Sequence, residues 1–310
     1  MNMPLVSILI PTYNRPVYFK QALISALRQS YQNTEIIICD DSTNDFSKKI
    51  AINYQKKFPN KIKYYKNKIN LGGKLNFQLA LQKAKGEYVN YLMDDDLFHP
   101  HKIERMIDLY LKDSTSRIKL VTSYRQPIDA EGNYLADFSF TKKKFDCDTI
   151  MKGIDAGSSI ILDGNWIGEP TTPLFKKSDL IEPFGYFHGS QYQSAVDMAS
   201  WLSLLSNGDI AYIADTLSYL RMHSDNAGKN VTLKIKSAYD WIHMLFHCPQ
   251  KNILSSSNDL NKSVQECKNF IKDLSILFSN QITPNQKQIL NHYNNCLHMY
   301  EQLLTQEQIN

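Results

Sequence analysis

Short apolar runs alternate with longer amphipathic stretches from residue 5 to residue 123. LVSILI (5–10) reads as a strand, and Arg15-Pro16 then opens a helix whose apolar positions include Ala22, Leu23, Ala26 and Leu27. EIIICD (35–40) is a second strand, followed by a helix from about Asp45 to Lys57, and KIKYY (61–65) is a third. From about Gly73, the residues Phe77, Ala80, Leu81 and Ala84 recur at i, i+3, i+4 and i+7, one face of a helix. Tyr88 to Met93 is a fourth strand, ending at Asp94, Asp95 and Asp96. A helix carrying Ile103, Met106, Ile107, Tyr110 and Leu111 leads to a fifth strand, IKLVTS (118–123). Such alternation predicts an α/β fold, a mostly parallel sheet with helices on both faces. Ligands of such sheets bind beyond the carboxyl ends of the strands.

The regular alternation stops near residue 124. Residues 124–170 read as irregular, with a turn signal at 129–133 and a glycine-bearing stretch at 153–168, the kind of segment that shapes a pocket. PLFKKSDL (173–180) reads as a strand followed by a helix capped by Ser178. Asp197 then opens a helix with Met198, Trp201, Leu202 and Leu205 on one face. Two strand-like runs follow, 209–214 and 216–226, with Arg221 and His223 alternating outward from Tyr219. The remainder is helical in pattern. Cys267, Ile271, Leu274 and Phe278 form one stripe, and Leu290, Tyr293, Leu297, Tyr300 and Leu304 a second, behind a Thr283-Pro284 cap. Two such helices would pack as an antiparallel hairpin. The pattern divides the chain into 1–123, 124–228 and a helical extension, 229–310.

Composition narrows the classes. With 310 residues the chain suits one large α/β domain with an appendage, or two modest domains. A net charge of +4 is too small to argue for nucleic acid. The five cysteines are scattered without a CxxC pair, fitting free thiols in a reducing compartment. The opening apolar run is six residues long and lacks a basic leader, and no later run approaches 18 apolar residues. A cytoplasmic protein is expected, with room for peripheral contact at the inner face of a membrane. His243 and His247 lie four apart without the glutamate of HExxH, so zinc is not expected there.

The predicted strand ends carry the chemistry. Strand one runs into Pro11-Thr12-Tyr13-Asn14-Arg15, strand two into Asp40-Asp41-Ser42, and strand three reaches Asn70-Leu71-Gly72-Gly73-Lys74. Strand four ends in three acids, which repel one another unless a cation lies among them. Hard oxygens at that density suit Mg²⁺ or Mn²⁺, ions that usually hold phosphates. The other reading of the triplet is an acidic turn that ends a strand and caps a helix. No G-x-G-x-x-G follows the first strand and no GxxxxGK[ST] exists, which argues against a dehydrogenase and a P-loop enzyme.

VSILIPTYNR, EIIICDDS, NLGGKLN and GEYVNYLMDDDL, in that order, resemble the nucleotide-sugar-binding half of glycosyltransferase family 2, inverting enzymes of GT-A fold. The resemblance covers about the first 110 residues. It implies that 1–123 binds a nucleotide-diphosphate sugar and that 124–228 supplies the acceptor side and the catalytic base. By position, Thr12 and Tyr13 would border the base ring, and Asp41, with Asp40 beside it, would accept from the ring N–H of uracil or thymine. Lys74 would lie near the diphosphate and Asp94 near the ribose, with Pro11, Arg15 and Asn70 completing the donor site. Asp95 or Asp96 would bind Mn²⁺ or Mg²⁺, and His223 would join as a further ligand from the opposite wall. The family's acid-small-acid-acid pattern would put Asp at Met93, which leaves the ligand among the three acids open. Asp197 would be the base for an acceptor hydroxyl. An N-cap, worth about 0.5–2 kcal/mol, is its other reading. Trp166 and Glu169 are candidates to meet the acceptor, unless Trp166 is a core residue on a tight turn.

The function implied is transfer from a UDP-sugar to a hydroxyl of a glycan or lipid-linked acceptor, in surface polysaccharide synthesis. A catalytically silent donor-binding module and a sugar nucleotidyltransferase are the alternatives. The second would need a glycine- and lysine-rich loop after strand one, where PTYNRP stands. A homodimer through the C-terminal helices is left open.

Overall fold

The computed structural model describes residues 3–223 and 231–307. The expected boundary at 228/229 lies outside the described residues. The alternation predicted for the first 123 residues is present: β1 (Val6–Thr12), α1 (Pro16–Leu27), β2 (Thr34–Asp40), α2 (Phe46–Lys57), β3 (Ile62–Lys66), α3 (Gly73–Lys83), β4 (Tyr88–Tyr91), the short β5 (Leu97–Phe98), α4 (Lys102–Lys112) and β6 (Ile118–Ile128). Then come β7 (Thr149–Met151), α5 (Gly153–Leu162), β8 (Leu174–Lys176), β9 (Tyr186–Phe187), β10 (Ser190–Gln191), α6 (Val196–Leu205) and β11 (Asp209–Arg221). The chain closes with α7 (Val231–His247), α8 (Ser257–Leu277) and α9 (Pro284–Glu307).

The main sheet runs β3-β2-β1-β4-β8-β6-β11-β5, with β7 pairing β11. β1 pairs in parallel with β2 and β4, β2 with β3, and β6 with β11; β8 enters antiparallel between β4 and β6. The strand order reverses between β1 and β4, where open α/β sheets leave a crevice at the carboxyl ends. Alternate residues of β1 feed opposite faces. Ile8 and Ile10 pack with Phe19 and Leu23 of α1 and Ile103 and Met106 of α4. Leu9 joins Val89, Phe175, Trp201, Leu245 and Val264 on the other face. The C-terminal helices therefore share a core with the sheet.

Four expectations are corrected. The irregular stretch begins later, because β6 runs to Ile128 along the slightly longer β11, which is one strand with register shifts rather than two. Residues 153–162 are helix α5, whose Gly153 lets backbone approach backbone: a Cβ there would lie 1.9 Å from the Gly208 carbonyl oxygen. Residues 177–179 form a single 3₁₀ turn with no cap from Ser178, since Lys177 turns its N–H back to Glu87. Among the described residues the extension holds a third α-helix, α7, ahead of the two that carry the stripes. Thr283 behaves as expected: its hydroxyl accepts from the Gln286 N–H (3.3 Å) while the Gln286 side chain accepts from the Thr283 N–H (2.9 Å), a capping box.

Candidate active site

The carboxyl ends of β1, β2 and β4 border a cleft of about 420 Å³. Of the predicted donor-site residues, Pro11, Thr12, Tyr13, Arg15, Asp41, Asn70 and Asp94 line it. Tyr13 is half exposed, so its ring is available to a planar ligand. Phe77 and Met93, which sequence reasoning did not place here, add an apolar wall. Met93, the departure from the acid-small-acid-acid pattern, thus serves the cleft as surface rather than as ligand.

Asp41 is buried and anchors the loop ahead of α3. It accepts from the N–H groups of Leu71 and Gly72 (both 2.8 Å) and from Asn67 (2.9 Å). Gly72 sits at φ +78°, a conformation that side-chain-bearing residues rarely adopt, so the loop can present its N–H groups to one carboxylate. Asp40 does not share the cleft. Successive strand residues face opposite ways, and Asp40 is fully buried, accepting from the Ser42 N–H (2.8 Å) and the Tyr64 hydroxyl (2.7 Å) with Lys66 3.4 Å away. Lys74 is also redirected. Its ammonium donates to the Gln193 side chain (2.5 Å), toward the segment that enters α6.

The three acids after β4 divide their tasks. Asp94 faces the first strand, accepting from the Thr12 hydroxyl (2.8 Å) and the Tyr13 N–H (3.0 Å), with Arg15 at 3.3 Å. Burial, then the neighbouring Asp95 charge, push its carboxyl up to about 6. Asp95 is the most exposed and meets Arg15 at 2.6 Å and the His223 imidazole Nε2 at 3.0 Å. His223 also stacks on Tyr18, with ring centroids 5.2 Å apart. Asp96 corrects the expectation of a ligand: it is buried, accepting from the Thr171 hydroxyl (2.5 Å) and the Arg221 N–H (3.0 Å). Burial and Asp95 raise its carboxyl well above the ordinary range. Arg221 does not point outward. It is buried and ties the Asp95 carbonyl (2.7 Å) to the carbonyls of Asp129 (3.0 Å) and Ala130 (2.8 Å).

A divalent cation here would find Asp95 and His223, one carboxylate and one imidazole. Among the described residues no three His, Cys, Asp or Glu side chains form a cage. Two protein ligands suit an ion that takes its remaining ligands from a diphosphate and water.

The segment 164–172 joins these acids to Asp197. Asn165 donates to the Asp197 carboxylate (2.9 Å), and Thr171 donates to Asp96. Arg125, buried, lies 2.7 Å from Glu169 and donates to the carbonyls of Asn165 (3.2 Å) and Trp166 (3.1 Å). The Arg125–Glu169 contact is an ion pair whose alignment leaves both atoms without a hydrogen bond. Lys102, fully buried under Phe98, donates to the Thr172 carbonyl (2.5 Å). Of the two readings of Trp166, burial favours the core one: its indole donates to Ser159 (3.0 Å) and meets Phe145 and Tyr212 edge-on.

Asp197 occupies the first turn of α6 but caps nothing there. Its second oxygen accepts from the N–H of Met198 (2.9 Å), one residue on. Burial raises its carboxyl to about 6, with Glu169 adding to the rise. A carboxylate held near 6 can take a proton at neutral pH, the requirement for a general base. Asn165 and Thr171 escaped sequence reasoning because neither residue type at those positions signals a distant partner.

Residues 7–159 match the family model described as Glycosyl transferase family 2. An uncharacterized glycosyltransferase of Rickettsia typhi is 27% identical over 284 residues, 89% of this chain and 80% of that protein. A putative teichuronic acid biosynthesis glycosyltransferase of Bacillus subtilis is 26% identical over 229 residues, 73% of this chain and 82% of that protein. Three Rickettsia relatives are longer, with 31% to 36% of their length matched, and a Haemophilus influenzae relative is matched over 59% of its length. Two solved structures share the fold. S. aureus TarS 1–349 in complex with UDP-GlcNAc has a TM-score of 0.56 at 16% identity, over 96% of this chain and 91% of that one. The mannosyltransferase PcManGT from Pyrobaculum calidifontis, in complex with GDP-Man and Mn²⁺, has a TM-score of 0.57 at 14% identity, over 97% and 87%. Residues 7–159, with a GT-A-type sheet built around them, thus carry the glycosyltransferase family 2 match, just under half of the chain.

Proposed function

We propose that the chain is a metal-dependent inverting glycosyltransferase that moves a sugar from a UDP-sugar to a hydroxyl of a glycan or lipid-linked acceptor. The observation that carries this reading is one cleft lined by Asp41, Asp94 and Tyr13 at three strand ends, joined through residues 165–171 to a carboxylate raised to about 6. The base ring would lie against Tyr13 beside Asp41, and the diphosphate would lie toward Arg15 and Asp95. Asp95 and His223 would hold a divalent cation, which when bound supplies countercharge to the leaving diphosphate. Asp197 accepts the acceptor hydroxyl's proton as that oxygen bonds to the anomeric carbon; the bond from that carbon to the diphosphate oxygen breaks and UDP leaves. One displacement inverts the anomeric centre and needs no covalent nucleophile.

The fold neighbour TarS is in complex with UDP-GlcNAc and PcManGT with GDP-Man and Mn²⁺, and the B. subtilis relative is named for teichuronic acid biosynthesis. These support a nucleotide-sugar donor, a divalent ion and a role in polymer synthesis. The test is a thermal-shift and calorimetric screen of UDP-, GDP- and dTDP-sugars, each with Mn²⁺ and with a chelator. Binding of a UDP-sugar that the chelator weakens about tenfold or more is the expected result. Failure of every nucleotide sugar to bind would overturn the proposal. A silent binding module would bind the donor and show the same turnover, if any, for Asp197→Asn as for the native chain.

A further inference from the structure

Helix α6, which carries Asp197, starts without a capping side chain of its own: its N-cap is Ala195. N–H groups entering a helix need acceptors, and here the acceptor comes from α7, beyond the residues that match the family. The Asp240 carboxylate is fully buried and accepts from the N–H groups of Gln193 (3.0 and 3.1 Å), Ser194 (2.7 Å) and Ala195 (3.0 Å). Ser237 donates to the Ser194 hydroxyl (2.8 Å), and the Tyr192 hydroxyl lies 3.0 Å from Nδ1 of His243. Residues 237, 240 and 243 recur every third position, so one face of α7 grips the segment. From the other side, Lys74 of α3 holds the Gln193 side chain.

We propose that Asp240 is a positioning residue for the catalytic base, and that α7 is thereby part of the active site. The inference rests on the reading of Asp197 as base. A buried carboxylate is unfavourable unless its lone pairs are filled; three backbone N–H groups fill them, and the charge sits at the positive end of the α6 dipole. Without it those N–H groups lose their acceptor, and the segment two residues ahead of Asp197 is released. Displacing a reacting group by about 1 Å costs on the order of 10²-fold in rate.

The test uses the full chain with Asp240→Asn, nearly isosteric, and Asp240→Ala. Hydrogen exchange of the amides of residues 193–199 should quicken about tenfold or more in both, with α8 and α9 unchanged. Turnover of UDP-GlcNAc and GDP-mannose with Mn²⁺, read as nucleotide release, should fall roughly tenfold to 10²-fold while the donor KM stays within about twofold. Unchanged exchange, or a loss carried by KM alone, would overturn the proposal. Should Asp240→Ala fail to fold, Asp240→Asn decides. If the native chain releases nucleotide from neither donor, the transferase reading loses support, and the exchange measurement by itself decides whether Asp240 holds the segment.

Discussion

At the scale of single residues, the base is the sharpest commitment. Asp197 must be ionised to accept a proton, and its raised carboxyl titrates at about 6. Turnover should therefore be flat at neutral pH and fall about tenfold per pH unit below that value. Asp197→Asn should lose at least ~10²-fold in turnover, keep donor affinity and show no such acid limb. Asn165 donates to the ionised form, so Asn165→Ala removes a bond that favours the charge. Its acid limb should move to higher pH, read from the kcat–pH profile. One acid at a strand end is commonplace as a cap; the site was legible in sequence because several predicted strand ends carry polar or acidic groups together. Which way each points was less so. Asp40 and Asp41 differ by one residue and by the whole thickness of the sheet, and Asp96 is claimed by Thr171 and Arg221, which follow it by 75 and 125 positions. Apolar periodicity carries no signal of contacts at that separation.

Among elements, the strands and helices of the first 123 residues could be read because local pattern and final packing agree there. Helix α5 was hidden. GIDAGSSIIL combines two glycines, two serines and β-branched residues, all modest helix formers. It is helical because its glycines admit close packing: Gly153 against the carbonyls of Leu205 and Gly208, and Gly157 against Ile253. Gly153→Ala meets backbone that cannot swing aside. The change should destabilise the protein by roughly 1–3 kcal/mol, seen as a lower thermal midpoint. In the extension, Thr283→Ala should cost about 1 kcal/mol by opening the capping box.

For the molecule as a whole, the C-terminal helices are not a detachable module. Ile242, Leu245, Val264, Leu290 and Leu297 belong to the same apolar cluster as Leu9, Val89 and Trp201. A chain ending at residue 230 should expose that surface and aggregate or melt early, measured by light scattering and thermal denaturation; a truncated chain with native stability would contradict this. Sequence reasoning found the helical stripes but not their partner, since a stripe says that a face is covered without saying by what. The segment from Asn165 to Thr171 has a further consequence. With one end tied to the base and the other to the acids of the donor side, its length works as a gauge block. One inserted residue adds up to about 3.5 Å of chain, as much as the whole gap between reacting atoms in a near-attack complex, about 3–3.5 Å. Substitutions along this ribbon should be far better tolerated than any change in its count of residues.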